Sequence, residues 1–310
     1  MDGLLSWLNQ PLVVSATIRI WMVIAAVAAV LLVALLLLIF RLRRKKKRAA
    51  PAEVVEPTTE RPAPLPELEL ANLQGVGDRE EQQDAFGLSR MDRYEQDGLL
   101  AVLCDGMGGM AEGARIATET VSELVGVFPW PDGGDVPGWI QQRSARVYQQ
   151  FRGHGGATLV ATLLKGAQLL FWCVGDSDLF LLREGTLYAL NVRQEYKNEL
   201  ILRALDGAFP VEEAFHDPQA GALSEYIGKE TVNCDFTRIP FPLQPEDALL
   251  LCSDGVSDTL TLKQIREAMA LPPQACCDQL ENGILTAAKP GQDNYTAIAL
   301  KYHGKPKEES

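Results

Sequence analysis

The stretch LLAVLCDGMGG, residues 99–109, runs from an apolar segment straight into an aspartate and three glycines. Leu99–Cys104 has the composition of a buried β-strand, and Asp105 and Gly106 follow it directly. A turn would explain the glycines alone. A metal site would also explain the carboxylate, because a glycine at position 106 leaves its carbonyl oxygen open to an approaching ion.

Similar aspartates occur elsewhere in the chain, in LLFWCVGDS at Asp176, ALLLCSDG at Asp254 and GQDNYTAIAL at Asp293. Antiparallel pairing of the strand before Asp254 with the strand after Asp293 would place both carboxylates at one sheet edge, where Asp105 could join them. Crowded carboxylates repel one another and lose solvation when they are buried, and a hard divalent cation relieves both costs. Together these aspartates favour a Mg²⁺ or Mn²⁺ site over isolated turns.

The net charge of −12 is unevenly distributed along the 310 residues. Residues 1–48 carry eight basic residues and one acidic residue, which leaves 21 basic and 40 acidic residues in the remainder, a net charge of −19. A domain this acidic repels polyanions, so we expect no nucleic-acid partner.

Residues Ile20–Phe40 are 21 consecutive apolar residues, followed by the basic run RLRRKKKR. As a helix they would span roughly 31 Å, which is enough to cross a bilayer. A cleaved signal peptide is the alternative, but its apolar core is shorter and its positive charges come before that core. The pattern predicts a single-pass helix in the cell (inner) membrane, with the C-terminal side in the cytoplasm.

The composition divides the chain into five predicted segments. They are a short extracytoplasmic N-terminus (1–19), a transmembrane helix (20–40), a basic run with a Pro-rich linker (41–67), a globular domain (68–303) and a charged tail (304–310). The linker holds five prolines, a composition typical of an extended tether.

Short apolar runs and helix-like runs alternate in blocks within the domain. Strands are predicted at 68–76, 84–88, 99–104, 158–164, 168–174, 179–183, 187–192, 237–242, 248–252 and 295–301, and helices at 114–127, 138–151, 196–205, 261–269 and 274–288. A hairpin is predicted at Glu184-Gly185. Strands joined by short turns and interrupted by helix pairs indicate an antiparallel α+β sandwich with helices on both sides.

The six cysteines lack CxxC spacing, so we interpret them as small buried side chains and expect no zinc site. The three histidines are scattered along the chain and show no Ser-His or Cys-His arrangement typical of nucleophilic catalysis.

Six segments resemble, in order and spacing, the motifs of bacterial-type metal-dependent protein phosphatases of the PPM (type 2C-like) family. They are GDREEQQDA, LCDGMGGMAEGARIA, GATLVATLL, VGDSDLFLL, LLLCSDGVSD and GQDNYTAIAL, and they cover about residues 70–302. The resemblance implies an α-β-β-α sandwich of antiparallel sheets, preceded here by the transmembrane helix. It also implies hydrolysis of phosphoserine and phosphothreonine on cytoplasmic proteins by a metal-bridging hydroxide, and a cognate Ser/Thr kinase as partner.

The resemblance also implies roles for individual residues. The metal ligands would be Asp84, Asp105, the Gly106 carbonyl, Asp176, Asp254 and Asp293, holding two Mg²⁺ or Mn²⁺ ions, or three with the weaker one at Asp176. Asp105 would bridge two ions, and Arg79 would grip the substrate phosphate as a catalytic residue. Without the resemblance, Arg79 would be read as a solvated surface charge.

Several positions depart from the family pattern. Gln83 stands where many members have Glu, Met107 and Met110 replace histidines, Asp178 replaces an arginine, and Arg193-Gln194 replaces an Asp-His pair. Residues 198–228 resemble the segment that forms a mobile flap in bacterial members. Because Asp105, Asp254 and Asp293 all remain, we expect an active enzyme. The alternatives are a weak or inactive PPM-like binding module and a phosphohydrolase of small phosphate esters or nucleotides.

Overall fold

Eleven strands pair into two antiparallel sheets in the computed structural model, which describes residues 67–107, 112–130 and 134–304. The strands are β1 (Leu68–Gly75), β2 (Ala85–Leu88), β3 (Leu99–Cys104), β4 (Leu159–Lys165), β5 (Gln168–Val174), β6 (Asp178–Arg183), β7 (Thr186–Ala189), β8 (Asp235–Phe236), β9 (Phe241–Pro242), β10 (Asp247–Cys252) and β11 (Tyr295–Tyr302). The first sheet has the order β1-β11-β10-β6-β7, and the second has the order β2-β3-β4-β5-β8 with β9 also paired to β5.

Helices lie between many of the strands along the described part of the chain. They are α1 (Tyr94–Asp97), α2 (Gly113–Gly126), α3 (Val136–Phe151), α4 (Tyr196–Leu205), α5 (Val211–His216), α6 (Asp254–Ser257), α7 (Leu262–Met269) and α8 (Pro273–Ala287). Asp135 caps α3 by accepting a hydrogen bond from the Gly138 amide, and Thr261 forms a capping box with Gln264 at the start of α7.

Three apolar clusters define four layers. Leu103, Leu251 and Ile298 belong to the cluster between the two sheets. A second cluster joins β3 and β4 to α2 and α3, and a third joins β10 and β11 to α7 and α8. Strands such as β3 and β10 are buried along their whole length because both of their faces are covered. The predicted α-β-β-α sandwich is confirmed.

The register of the first sheet places the acidic loops at one edge. β10 and β11 are antiparallel, with Cys252 opposite Ala297, so the end of β10 and the start of β11 meet. The predicted pairing of these two strands is confirmed. The predicted hairpin at Glu184-Gly185 is also present, and both residues have the positive φ of a type I′ turn.

Two predicted strands are shorter than expected. The run 187–192 pairs only as far as Ala189. Of the run 237–242 only β9 is a strand, and β8 lies just before the run; Pro240, between the two, cannot donate a backbone hydrogen bond. The short helices α1, α5 and α6 were not predicted, because four to six residues are too few to show helical periodicity.

The predicted transmembrane helix at 20–40 and the linker lie outside the described residues, as do Met110 and residues 305–310. None of the helices in the described ranges is both long enough and apolar enough to span a bilayer.

Candidate metal centre

Aspartates from both sheets gather where their strand ends meet. Asp84 comes directly before β2, Asp105 directly after β3, and Asp176 between β5 and β6. Asp254 begins α6 just after β10, and Asp293 lies just before β11. The negative charges of the other four aspartates all raise the pKa of Asp105. The five carboxylates therefore form one electrostatic cluster, called here the carboxylate edge.

Asp84 is the most buried member, with only 5% of its surface exposed. Its Oδ2 accepts a hydrogen bond from Ser253 Oγ at 2.8 Å, whereas its buried Oδ1 has no hydrogen-bond partner among the described residues. Burial raises the pKa of Asp84 to about 6, with repulsion from Asp254 adding to the rise and hydrogen bonds from Thr296 and Ser253 opposing it. One buried carboxylate oxygen is therefore open to a cation.

Asp105 is held by its backbone. Its amide donates to Thr158 Oγ1 at 3.0 Å, and its carbonyl accepts from the Thr158 amide at 2.8 Å. Burial raises the pKa of Asp105 well above its ordinary value, and the charges of Asp84 and Asp254 raise it further. Thr158 Oγ1 also lies 2.7 Å from Ser177 Oγ, so this hydroxyl pair links Asp105 to the segment that carries Asp176.

Asp254, like Asp84, has one buried oxygen without a hydrogen-bond partner in the described part of the chain, and this oxygen is Oδ1. Burial raises the pKa of Asp254, the charges of Asp258 and Asp293 raise it further, and the charge of Arg193 opposes the rise.

Asp176 lies within the electrostatic influence of Arg193. Burial raises the pKa of Asp176 to about 7 and the charge of Asp254 adds to this, but the charge of Arg193 opposes it. Arg193 forms a bidentate ion pair with Asp178, with Nη2–Oδ2 at 2.6 Å and Nε–Oδ1 at 3.0 Å. Two positions that depart from the family pattern are thus direct partners, and their charges cancel.

Arg79 lies at the solvent-exposed rim of the carboxylate edge. Its Nη2 is 2.7 Å from Asp293 Oδ2, and the two side chains are 45% and 40% exposed. The hydrogen bond to Asp293 raises the pKa of Arg79, and the charges of Asp254 and Asp105 also favour its charged form. The structure therefore brings Arg79 to the predicted site, paired with one of the predicted ligands.

Two glycines allow backbone segments to approach each other at this edge. The Gly106 amide donates to the Gln83 carbonyl at 3.2 Å, and a Cβ at position 106 would lie 2.6 Å from that oxygen. A Cβ at Gly255 would overlap the Asn294 carbonyl oxygen. Any larger residue at either position would push apart the segments that carry the aspartates.

Sequence reasoning missed the polar residues that hold these segments together. Asn294 Nδ2 donates to the Val76 and Glu81 carbonyls at 2.8 and 3.0 Å, and its Oδ1 accepts from the Gln83 amide at 2.8 Å. Ser253, Thr158 and Asn294 are all buried. The sequence signal that could have identified them is position: Ser253 precedes Asp254, Asn294 follows Asp293, and Thr158 precedes the buried strand β4.

The donor set fits a hard divalent cation. It consists of carboxylate oxygens, two of them buried and without a partner among the described residues, and burial and mutual repulsion raise the pKa of Asp84, Asp105 and Asp254. Within the described ranges, however, no three Asp, Glu, His or Cys side chains are already arranged to hold an ion.

Comparisons with known proteins agree with this fold. Residues 77–281 match the family model described as protein phosphatase 2C. The serine/threonine phosphatase stp of Listeria welshimeri is 26% identical over 220 residues, covering 65% of this chain and 84% of the relative. Among solved structures, Stp1 from Staphylococcus aureus aligns with a TM-score of 0.64 at 24% identity, covering 76% of this chain and 96% of that chain.

A solved catalytic domain of the serine/threonine protein phosphatase PstP, in complex with two manganese ions, aligns with a TM-score of 0.57 at 24% identity. The alignment covers 76% of this chain and 97% of that chain. The family model spans well over half of the 310 residues, and the family resemblance read from the sequence is confirmed. The chain belongs to the protein phosphatase 2C family of serine/threonine protein phosphatases.

Proposed function

We propose that this protein hydrolyses phosphoserine and phosphothreonine on cytoplasmic proteins, using Mg²⁺ or Mn²⁺ held at the carboxylate edge. The observation that carries the proposal is the charge imbalance of that edge. Asp84 and Asp254 each bury an oxygen without a partner, and burial raises the pKa of Asp84, Asp105 and Asp254 together. Such an arrangement is unfavourable unless cations bind to it.

The ions would be held by Asp84, Asp105, the Gly106 carbonyl, Asp254 and Asp293. When bound, divalent ions supply positive charge for the incoming phosphate and a water of lowered pKa for hydrolysis. The surrounding residues hold these ligands in place: Thr158 fixes the Asp105 backbone, and Ser253 orients the Asp84 carboxylate.

Arg79 would bind the substrate phosphate. Its exposed guanidinium already pairs with a carboxylate oxygen of Asp293, and its planar donors suit two phosphate oxygens equally well. When Asp293 turns to a cation, the guanidinium becomes available for the phosphate. Arg79 and Asp293 would therefore exchange partners as the site fills.

We also propose that the protein is a single-pass protein of the cell membrane, anchored by residues 20–40 with its phosphatase domain in the cytoplasm. The 21-residue apolar run and the basic residues after it support this proposal. The linker would then keep the enzyme near substrates at the inner face, where a Ser/Thr kinase would act on the same proteins.

The catalytic proposal is tested with the full chain on a phosphothreonine peptide and on p-nitrophenyl phosphate, with Mn²⁺ or with EDTA. We expect phosphate release that depends on Mn²⁺. Asp254→Asn should lower turnover by orders of magnitude, because it removes a ligand charge from the carboxylate edge, while circular dichroism shows an unchanged fold.

Asp278→Asn is the matched control, since it removes an exposed aspartate on α8 and should leave turnover at the wild-type rate. Wild-type turnover in the Asp254→Asn protein would refute the ligand assignment. Metal binding without release from either substrate would indicate an inactive binding module. A strong preference for nucleotides would indicate a phosphohydrolase of small esters.

A further inference from the structure

Arg193 joins three segments behind the carboxylate edge. In addition to its two contacts with Asp178, its Nη1 lies 2.7 Å from Asp258 Oδ1 and its Nη2 lies 2.7 Å from Ser257 Oγ. Asp178 begins β6, Ser257 and Asp258 end the α6 turn, and Arg193 itself precedes α4. The side chain is only 26% exposed, so its position is set by the protein and not by solvent.

Several carboxylates share this guanidinium. Glu195 Oε1 lies 3.7 Å from Arg193 Nη1, and the side chains of Asp178 and Glu195 are only 8% and 9% exposed. Glu195 is also paired with Lys197. Buried carboxylates are stable only beside a compensating cation, and here that cation is chiefly Arg193.

Arg193 also acts on two members of the carboxylate edge. Asp178 is two residues after Asp176, and Asp258 is one helical turn after Asp254. Because Arg193 contacts both Asp178 and Asp258, its guanidinium lies between the segments that carry Asp176 and Asp254. The arginine therefore supplies fixed positive charge to the side of the edge where Asp176 lies.

We propose that Arg193 is a resident cation of the metal centre that limits it to two divalent ions, because its guanidinium takes the place of a further ion beside Asp176. The inference rests on the proposed metal-dependent function. Arg193 is a positioning residue here, acting through Asp178 and α6.

The physical basis is the permanence and the geometry of the guanidinium. Arginine stays charged at every physiological pH, and its five donors occupy several carboxylate oxygens at once. An additional divalent ion at Asp176 would be repelled by this charge. It would also find the Asp178 oxygens already engaged.

The experiment counts Mn²⁺ ions per protein, using equilibrium dialysis and isothermal titration calorimetry on the full chain. We expect two ions in the wild-type protein and a third in Arg193→Gln, where Asp178 and Asp258 lose their cation. Arg193→Lys keeps the charge and should return the count to two. Arg183→Gln is the matched control, because it breaks a similar bidentate pair with the buried Asp247 and should leave the count at two.

Three ions in the wild-type protein, or two in a folded Arg193→Gln protein, would overturn the inference while leaving the proposed function intact. Absence of Mn²⁺ binding to the wild-type protein would instead refute the proposed function. If circular dichroism shows that Arg193→Gln does not fold, Mn²⁺ binding to Asp178→Asn tests the inference instead. This variant leaves Arg193 with an excess charge, so Mn²⁺ should bind several-fold more weakly, and unchanged or tighter binding would overturn the inference.

Discussion

Asp84 and Asp176 show how burial controls ionisation at the scale of single residues. Burial raises the pKa of Asp84 to about 6 and that of Asp176 to about 7, against about 3.9 for an exposed aspartate. Between about pH 4 and pH 7 the metal-free folded protein therefore binds more protons than the unfolded chain. Its free energy of unfolding should fall as the pH rises through this range.

Urea denaturation in EDTA at pH 5 and pH 8 measures this fall. In Asp176→Asn the fall should be smaller by on the order of 1–3 kcal/mol, because one of the carboxyl groups with a raised pKa is gone. Asp278→Asn, which removes an exposed aspartate, should show the wild-type fall. An equal fall in Asp176→Asn and wild type would show that Asp176 does not titrate as described.

The sequence predicted the candidate aspartates themselves, but it did not predict the residues that hydrogen-bond or pair with them. Asp105, Asp254 and Asp293 could be placed together because each lies beside an apolar strand whose pairing follows from antiparallel order. Ser253 bonds to Asp84 across 169 residues, and a contact of that length leaves no local pattern. The pairing of Arg193 with Asp178 could not be foreseen either, since each position looked like an isolated departure.

At the scale of elements, α6 shows why a very short helix can matter. Its first turn packs against the start of β11, and only a glycine at position 255 allows this approach. Gly255→Ala should lower the free energy of unfolding by about 2–4 kcal/mol, because the new Cβ overlaps the Asn294 carbonyl oxygen and must move backbone. Urea denaturation of the metal-free protein checks this.

Gly126→Ala is the control for that measurement. Gly126 is the last residue of α2, and a Cβ there would meet no atom within 4 Å. Its free energy of unfolding should stay within about 1 kcal/mol of wild type. Equal stability of the two variants would mean that α6 and β11 can separate at little cost.

Composition predicted the long strands and helices correctly. The buried strands β3 and β10 and the helices α2 and α8 were expected close to their observed positions. Strands β8 and β9 were not, because their boundaries depend on pairing with β5 and not on their own residues. Pro240 was the one local sign that a continuous strand would break.

At the scale of the whole molecule, membrane attachment stays a prediction. The full chain should be recovered in the membrane fraction of lysed cells, and deletion of residues 2–48 should move it to the soluble fraction. The reason is that the deletion removes the 21-residue apolar run together with eight basic residues. Immunoblotting of the two fractions measures the distribution.

Asp254→Asn in the full chain is the control, and it should remain with the membrane because the change lies in the phosphatase domain. Recovery of the unaltered full chain in the soluble fraction would contradict the proposed anchor. A detergent-resistant pellet containing both forms would indicate aggregation in place of insertion.

The strand order also constrains when the enzyme can become active. β11 lies between β1 and β10, and Asp293 and Asn294 immediately precede it. Arg79 and Gln83, from the start of the domain, thus find their partners only at Asp293 and Asn294. During synthesis, a nascent chain cannot complete the site until β11 has left the ribosome. We therefore expect a nascent chain that lacks β11 to be unable to remove a phosphate from its neighbours.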